Sequence, residues 1–204
     1  MKPIVVATGN RGKLREIREI LKHKLIPYTK LLGKLKIEET GNSFKENGII
    51  KAREVFTRLN GNYLVLADDS GLVVPALGGI PGVYSSRFAG EGATEEELRE
   101  KLIGLLREKG LERTPAYYIS AIALATPFGI WTAHGFMYGE VITEERGNWG
   151  FGYDPIFIPK GEKKTLGELP PTYKNTHSHR RKGLENLLPL LEVMEREWAD
   201  GSNR

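Results

Sequence analysis

An apolar run that leads directly into two adjacent carboxylates constrains this chain more than any other stretch. Residues 63–66 have the composition of a buried strand, and the motif Ala67-Asp68-Asp69-Ser70-Gly71 follows at the predicted strand end. Because ionised groups are costly to bury without partners, Asp68 and Asp69 at this position favour a metal site over packing. The alternative interpretation is an ordinary turn in which both carboxylates lie in water.

The size and composition of the chain restrict the function classes open to it. Its 204 residues suit one domain, two-lobed at most, which can bury about 70% of the unfolded surface. The formal net charge is only +4, which gives no argument for a nucleic-acid partner. The chain has no cysteine, so disulfides and thiolate metal sites are excluded, and any metal must be held by oxygen or imidazole.

Hydropathy gives no sign of a membrane segment. No run approaches the roughly 18 consecutive apolar residues of a membrane span, and the apolar start of the chain is too short for a signal peptide. We therefore expect a cytoplasmic protein with no membrane partner. We predict one domain over residues 1–204, of which residues 200–204 are disordered.

A glycine-containing turn joins the first predicted strand to the first predicted helix. Residues 4–7 are apolar, and Leu14, Ile17 and Leu21 recur at helical spacing. Between them lies the motif Thr8-Gly9-Asn10-Arg11-Gly12-Lys13, whose backbone N–H groups and lysine favour anion binding, although the spacing is not that of a P-loop. The alternative is a helix-entry turn with a solvated lysine.

Two further charged groups precede the paired aspartates. Glu38 or Glu39 is a candidate metal ligand, preferred over Glu46 because Glu46 stands at capping-box spacing from Ser43. Lys51, on the flank of the following helix, is a candidate phosphate contact, or else a surface lysine whose stem covers apolar residues.

Aromatic and basic segments dominate the last third of the chain. After a predicted hairpin over residues 117–142, glycines alternate with Trp149, Phe151 and Tyr153, a pattern that suits stacking on a planar base or, equally, closing a core. Residues 173–182 are basic and precede a helix, which favours phosphate or base-edge recognition, or else a solvated basic face.

These segments, in this order, resemble the inosine triphosphate pyrophosphatase family, which hydrolyses non-canonical purine nucleoside triphosphates. The matching stretches span nearly the whole chain: residues 8–13, 38–41, 44–47 with Lys51, 67–72, 77–87, 150–157 and 174–180. The resemblance implies an α/β fold with an elongated mixed β-sheet flanked by helices, two lobes with a central nucleotide cleft, and a homodimer. In one departure, Asn148-Trp149 stands where the family usually has small residues, and the indole could narrow or reshape the base pocket.

The resemblance also implies roles for individual residues. Asp69 would be the catalytic base, and magnesium (Mg²⁺) would be held by Glu38 and Asp69, to which the chemistry adds Asp68. The phosphates would be bound by Thr8, Gly9, Asn10, Arg11, Gly12, Lys13 and Lys51. Ser70 would touch the substrate, and base and sugar would be recognised by Phe151, Gly152, Tyr153, Asp154, Lys174, His179 and Arg180. The expected products are the nucleoside monophosphate and pyrophosphate.

Two other functions stay open at this point. The basic run Arg180-Arg181-Lys182 and the aromatic loop would also suit a nucleotide-binding or nucleic-acid-binding module without catalysis, against which the paired aspartates argue. A related pyrophosphatase of the septum-formation-protein type, which acts on modified pyrimidine nucleotides, is the closer alternative.

Overall fold

The computed structural model describes residues 3–201, which form six strands and six α-helices. Their order is β1 (Ile4–Val6), α1 (Arg11–Ile20), β2 (Leu25–Pro27), α2 (Thr29–Leu32), α3 (Phe44–Arg58), β3 (Val65–Val73), α4 (Glu95–Glu108), β4 (Arg113–Thr126), β5 (Gly129–Ile142), β6 (Phe157–Pro159), α5 (Pro171–His177) and α6 (His179–Gly201). The backbone of residues 200 and 201 belongs to α6, contrary to the predicted disorder there, and residues 202–204 lie outside the described residues. Among these helices none has the length and apolarity to cross a membrane.

The strands form one mixed sheet in the order β2-β1-β3-β4-β5-β6. Strand β1 is parallel to both β2 and β3, and β5 is antiparallel to β6. Pro127 and Phe128 alone join β4 to β5, a connection that only an antiparallel pair permits, so the predicted hairpin is confirmed. The predicted α/β class with a mixed sheet and flanking helices is confirmed.

The chain divides into two compact units. The first comprises Met1–Asp69, Ser120–Gly135 and Arg180–Arg204, and the second comprises Ser70–Ile119 and Phe136–His179. The division after Asp69 falls inside β3, and the division before Arg180 falls inside α6.

In the first unit, successive strand residues alternate between two cores, as the pleat of a β-strand requires. In β1, for example, Val5 lies in one core, whereas Ile4 and Val6 lie in the other. The core beneath α1 and α6 contains Ile4, Val6, Ile17, Leu21, Leu64, Leu66, Ile122, Leu124, Leu184, Leu187 and Leu191. The core beneath α3 contains Val5, Ala7, Ala52, Val55, Val65, Ala67, Ala123 and Ala125.

In the second unit, α4 supplies the apolar helix face of a single core. A capping box begins this helix, because Thr94 accepts from the Glu97 N–H and Glu97 accepts from the Thr94 N–H. The main core residues are Leu72, Val74, Leu98, Leu102, Leu106, Ala116, Tyr118, Met137, Val141, Ile156 and Phe157. Between β3 and α4 the chain forms two 3-10 turns, Pro75–Leu77 and Gly82–Arg87.

The strand predicted to end at Asp69 instead continues to Val73. It continues because Leu72 is fully buried in the core of the second unit and its N–H donates to the Ser85 hydroxyl at 2.9 Å. Asp68 and Asp69 therefore lie inside a strand, where both are buried rather than solvated. The turn interpretation of this motif is wrong.

Candidate functional site

The two adjacent aspartates point to opposite faces of the sheet, because successive residues of a strand alternate. Asp68 points to the same face as Leu66, two residues earlier, whose core lies beneath α1 and α6. Asp69 points to the same face as Ala67, whose core lies beneath α3. A methyl group placed on Gly48 of α3 would lie 4.0 Å from the Asp69 Cβ, in agreement with this assignment. Each carboxylate therefore has its own set of partners.

Asp68 is the centre of a buried ionic network beneath α1 and α6. Its Oδ1 accepts from the Ser120 hydroxyl, and its Oδ2 lies 3.0 Å from Lys13 Nζ and 3.3 Å from Arg180 Nη2. Arg180 Nη1 also donates to a carboxylate oxygen of Glu16. Burial would raise the pKa of Asp68, but Arg180 and Lys13 hold it well below its usual range, so this carboxylate is ionised.

The turn that was predicted to bind an anion is a strand-to-helix junction, as expected. The Asn10 side chain caps α1 by accepting from the Lys13 N–H at 3.0 Å, and the Asn10 N–H donates to Thr8 Oγ1 at 3.2 Å. Gly9 and Arg11 are exposed and Gly12 is half-buried. The Lys13 side chain is only 15% exposed, so the solvated-lysine interpretation is wrong. Burial lowers the pKa of Lys13, partly against the attraction of Asp68.

Beneath α3, Lys51 ties Asp69 to the acidic segment that precedes the helix. Lys51 Nζ donates to Asp69 Oδ1 at 2.8 Å and to the Asp68 carbonyl at 3.0 Å, and it lies 3.3 Å from Glu39 Oε1. Lys51 is buried, so it is not a surface lysine. Burial opposes its charge, but Asp69 and Glu39 leave the pKa of Lys51 raised. Burial raises the pKa of Asp69, against the effect of Lys51 and Lys13.

One oxygen of the Asp69 carboxylate can still accept a hydrogen bond or bind a cation. Asp69 Oδ2 is buried and has no hydrogen-bond partner among the described residues. Such an atom is costly unless water, substrate or a cation occupies the adjacent space, since an ionised oxygen needs donors or a metal. Of the two candidate glutamates, Glu39 is the one near Lys51, and Glu38 is exposed.

The predicted metal ligands Glu38, Asp68 and Asp69 are not assembled around one point. Within residues 3–201 no three acidic or imidazole side chains converge as a metal site, and both oxygens of Asp68 already have partners. Magnesium, however, often takes only one or two carboxylates and completes its shell with water and substrate phosphates. Asp69 and Glu39 fit that mode of binding, because Lys51 Nζ lies within 3.3 Å of an oxygen of each and so holds the two carboxylates near one another.

The segment that carries Glu39 is anchored to the start of α3. Asn47 Oδ1 accepts from the Gly41 N–H at 2.8 Å, and Glu46 accepts from the Asn42 N–H. Gly41 packs so closely that a Cβ there would lie 2.6 Å from Glu46 Cβ. Glu46 thus has the structural role predicted for it, although its carboxylate accepts from the backbone N–H of Asn42 rather than from that of Ser43.

In the second unit, Asp154 gathers the residues of the aromatic loop. Its Oδ2 accepts from Lys174 Nζ at 2.7 Å and from the Phe151 N–H at 3.0 Å, and its Oδ1 accepts from the Tyr118 hydroxyl at 3.1 Å. The Lys174 ammonium also lies 4.0 Å from the centre of the half-buried Phe151 ring. Asp154, Lys174 and Phe151 are therefore brought together, as a common base-recognition role requires.

The aromatic residues of this loop have different surroundings. Tyr153 is buried, its hydroxyl donates to the Ser85 carbonyl at 2.7 Å, and burial raises its pKa, so it belongs to the core. The Trp149 side chain belongs to a residue that is 55% exposed, and the backbone N–H of Trp149 donates to the Gly167 carbonyl at 2.9 Å. Gly152 is half-buried with a φ of +62°. The core interpretation holds for Tyr153, and Phe151 is left as the candidate for stacking.

His179 and Arg180 are neighbours in the chain but belong to different units. The buried His179 ring is stacked on Tyr118, with 4.8 Å between ring centres and 10° between ring planes. Arg180 is 1% exposed and its guanidinium lies on Asp68 and Glu16. The solvated-face interpretation is therefore wrong for Arg180.

Ser70, also predicted to touch substrate, is half-buried in β3.

Three residues with site contacts were missed by sequence reasoning. Ser120 is the polar member of an apolar strand run, Glu16 lies beside Ile17 on the buried side of α1, and Tyr118 faces the core. Each breaks the apolar pattern of a buried face, which is the signal that could have found them.

Comparison with known proteins identifies the family of this chain. The Ham1 family model matches residues 4–190. The chain is 54% identical over 190 residues to the dITP/XTP pyrophosphatase of Nautilia profundicola, over 93% of this chain and 97% of that protein. It is 48% identical over 205 residues to the dITP/XTP pyrophosphatase of Sulfurovum sp., over 98% of each.

Solved structures give the same result. A HAM1 protein from Coxiella burnetii matches with a TM-score of 0.83 and 41% identity, over 95% of this chain and 100% of that one. The Ham1 protein of Staphylococcus aureus matches with a TM-score of 0.82 and 37% identity, over 94% of this chain and 99% of that one. The resemblance predicted from the motifs is therefore confirmed, and the chain belongs to the Ham1 family.

Proposed function

We propose that this protein is a magnesium-dependent pyrophosphatase that converts non-canonical purine nucleoside triphosphates, such as ITP, dITP and XTP, to the monophosphate and pyrophosphate. The names of its relatives support this substrate class. The observation that carries the proposal is Asp69, a buried carboxylate paired with Lys51 through one oxygen and without a partner at the other. That state suits a group that must accept a proton from a reacting water.

The proposed reaction needs one proton acceptor and one attacking water. Asp69 Oδ2 takes a proton from the water as its oxygen bonds to the α-phosphorus, and the bond from that phosphorus to the bridging oxygen breaks. The two outer phosphates then leave as pyrophosphate. The raised pKa of Asp69 favours proton acceptance, while Lys51 keeps the carboxylate in one orientation.

The cations of the first unit would offset the negative charge of the phosphate chain. The start of α1 offers N–H groups, and Lys13 and Lys51 offer ammonium groups. Magnesium, held by Asp69 and Glu39, would neutralise phosphate charge when bound. Asp68 has a different part in this proposal, because it holds Lys13 and Arg180 rather than a metal.

The residues around Asp154 would recognise the base. The face of Phe151 offers a stacking surface, and Lys174 and backbone N–H groups are donors. Hypoxanthine and xanthine carry a carbonyl where adenine carries an amine, so a donor at that point favours them. A donor that faces an amine is left unpaired, and such mismatches can lower kcat/KM by about 10⁴-fold.

The first prediction concerns the products. With ITP and Mg²⁺ the protein should release inosine monophosphate and pyrophosphate in equal amounts, and EDTA should stop the reaction. Anion-exchange chromatography of the mixture distinguishes these from inosine diphosphate and orthophosphate, whose appearance would contradict attack at the α-phosphorus. A panel of ITP, XTP, ATP and methylated pyrimidine triphosphates separates this function from that of the septum-formation type.

The second prediction decides which glutamate serves the metal. Glu39→Gln should raise the Mg²⁺ concentration for half-maximal activity by about tenfold or more, because Glu39 is beside the Lys51–Asp69 pair. The matched change Glu38→Gln should leave that concentration nearly unchanged, since Glu38 is exposed. Calorimetric titration with Mn²⁺ checks the same ranking without turnover. Equal effects of the two variants would contradict the assignment.

Other expectations stay predictions. They include the homodimer, the cytoplasmic location and the cleft between two lobes. Arg180, one of the three basic residues that suggested nucleic-acid binding, is engaged in internal ion pairs.

A further inference from the structure

Tyr118 joins two residues that are far apart in the sequence of the second unit. It lies in β4, is 7% exposed, and faces the core. Its hydroxyl donates to Asp154 Oδ1 at 3.1 Å, and its ring is stacked on His179. The Tyr118 ring also packs against Phe157, at 4.7 Å between ring centres and a tilt of 53°, which holds the ring plane against the core.

We propose that Tyr118 is a positioning residue for base discrimination, because it sets the orientation of the Asp154 carboxylate and of the His179 ring together. This inference rests on the proposed function and deepens it. It assigns specificity to a residue that contacts the two recognising groups rather than the substrate.

The effect on Asp154 follows from where its hydrogen bonds lie. Lys174 and the Phe151 N–H both bind Oδ2, so without Tyr118 these contacts would hold the carboxylate at one oxygen. The terminal torsion of an aspartate is broad, and a second anchor at Oδ1 removes that freedom. A fixed carboxylate in turn fixes the Lys174 ammonium above the Phe151 ring, where both would meet the base.

The effect on His179 follows from the nearly parallel rings. Stacking at 10° holds the imidazole plane, so that its ring nitrogens present donors or acceptors in a defined direction. Tyr118 lies on a central strand, and its ring packs against Phe157. One rigid side chain therefore sets the orientation of both the Asp154 carboxylate and the His179 ring.

Base recognition and phosphate chemistry use different residues of this protein. Asp69, Lys51 and Lys13 belong to the first unit and make none of these contacts. Loss of the Tyr118 hydroxyl should therefore change the affinity for the preferred base and the ratio between bases, with little change in the rate of the bound complex.

The test compares Tyr118→Phe with Tyr117→Phe, the same chemical change one residue away on the other face of β4. Tyr117 is half-buried beside Phe136 and Tyr138 and does not contact Asp154. For Tyr118→Phe we expect KM for ITP to rise about tenfold and the ratio of kcat/KM for ITP over ATP to fall similarly, since a hydrogen bond to a charged group is lost. Tyr117→Phe should resemble the wild type in both.

A second variant and a binding measurement complete the test. Tyr118→Leu removes the stacking on His179 as well as the hydroxyl. It should lower the ratio of kcat/KM for ITP over ATP further. Thermal denaturation shows which variants fold, and calorimetry gives the Kd of each nucleotide without turnover. An unchanged ratio in Tyr118→Phe, or a fall in kcat alone, would overturn the proposal. If the wild type itself hydrolyses no ITP, the proposed function fails, and the Kd ratio of ITP over ATP then decides on Tyr118 by itself.

Discussion

Replacing Asp69 by asparagine should lower kcat for ITP by about 10³-fold, the order expected when a general base is removed. Asparagine has nearly the same shape, but its amide cannot take a proton from water at neutral pH. The measurement is steady-state release of pyrophosphate at saturating ITP and Mg²⁺. A variant that keeps more than a tenth of the wild-type kcat would remove Asp69 from the role of base.

The fold should survive this change, which makes the kinetic result interpretable. Lys51 loses a charged partner but keeps the Asp68 carbonyl at 3.0 Å and Glu39 at 3.3 Å. Nucleotide binding should therefore persist, and calorimetric titration of Asp69→Asn with ITP provides the control. Loss of both binding and turnover would indicate a damaged site rather than a missing base.

Local features of the fold were predictable because their signals lie within a few residues of one another. The Thr94–Glu97 capping box and the buried leucines of α6 at positions 184, 187 and 191 follow from residue spacing alone. The junction from β1 to α1 was expected for the same reason, since an apolar run, a turn and a helical period follow in order.

The surroundings of Asp68 and Asp69 were not predictable from local sequence. Asp-Ser-Gly has turn chemistry, yet the packing of Leu72 in the second core continues the strand through it. Burial of two adjacent carboxylates is possible because their cationic partners come from α1, α3 and α6. Such pairing depends on the folded arrangement, which a single sequence does not reveal.

The alternation of strand residues explains why the predicted metal pair separated. Once both aspartates lie in β3, one must face α1 and α6 and the other α3. Asp68 then becomes a structural anion and Asp69 a candidate base. The same two residues at a strand end, as first expected, would have had no such constraint.

Replacing Arg180 by alanine should lower the free energy of unfolding by about 3–5 kcal/mol, because removal of one partner leaves buried charge without compensation. Arg180 is 1% exposed, and it pairs with Glu16, which lies at the other end of the sequence, and with Asp68. Asp68 keeps Lys13 and Ser120 in the variant, so Glu16 bears most of the loss.

Urea denaturation followed by circular dichroism measures this change, and the neighbouring residue provides a matched control. Arg181 pairs with Glu185 on the surface of α6, where both side chains are partly exposed, so Arg181→Ala should cost less than about 1 kcal/mol. Adding Glu16→Gln to Arg180→Ala should restore part of the loss, since it removes the charge left behind. Equal free energies of unfolding for Arg180→Ala and Arg181→Ala would contradict the stabilising role assigned to the buried ion pairs of Arg180 with Glu16 and Asp68.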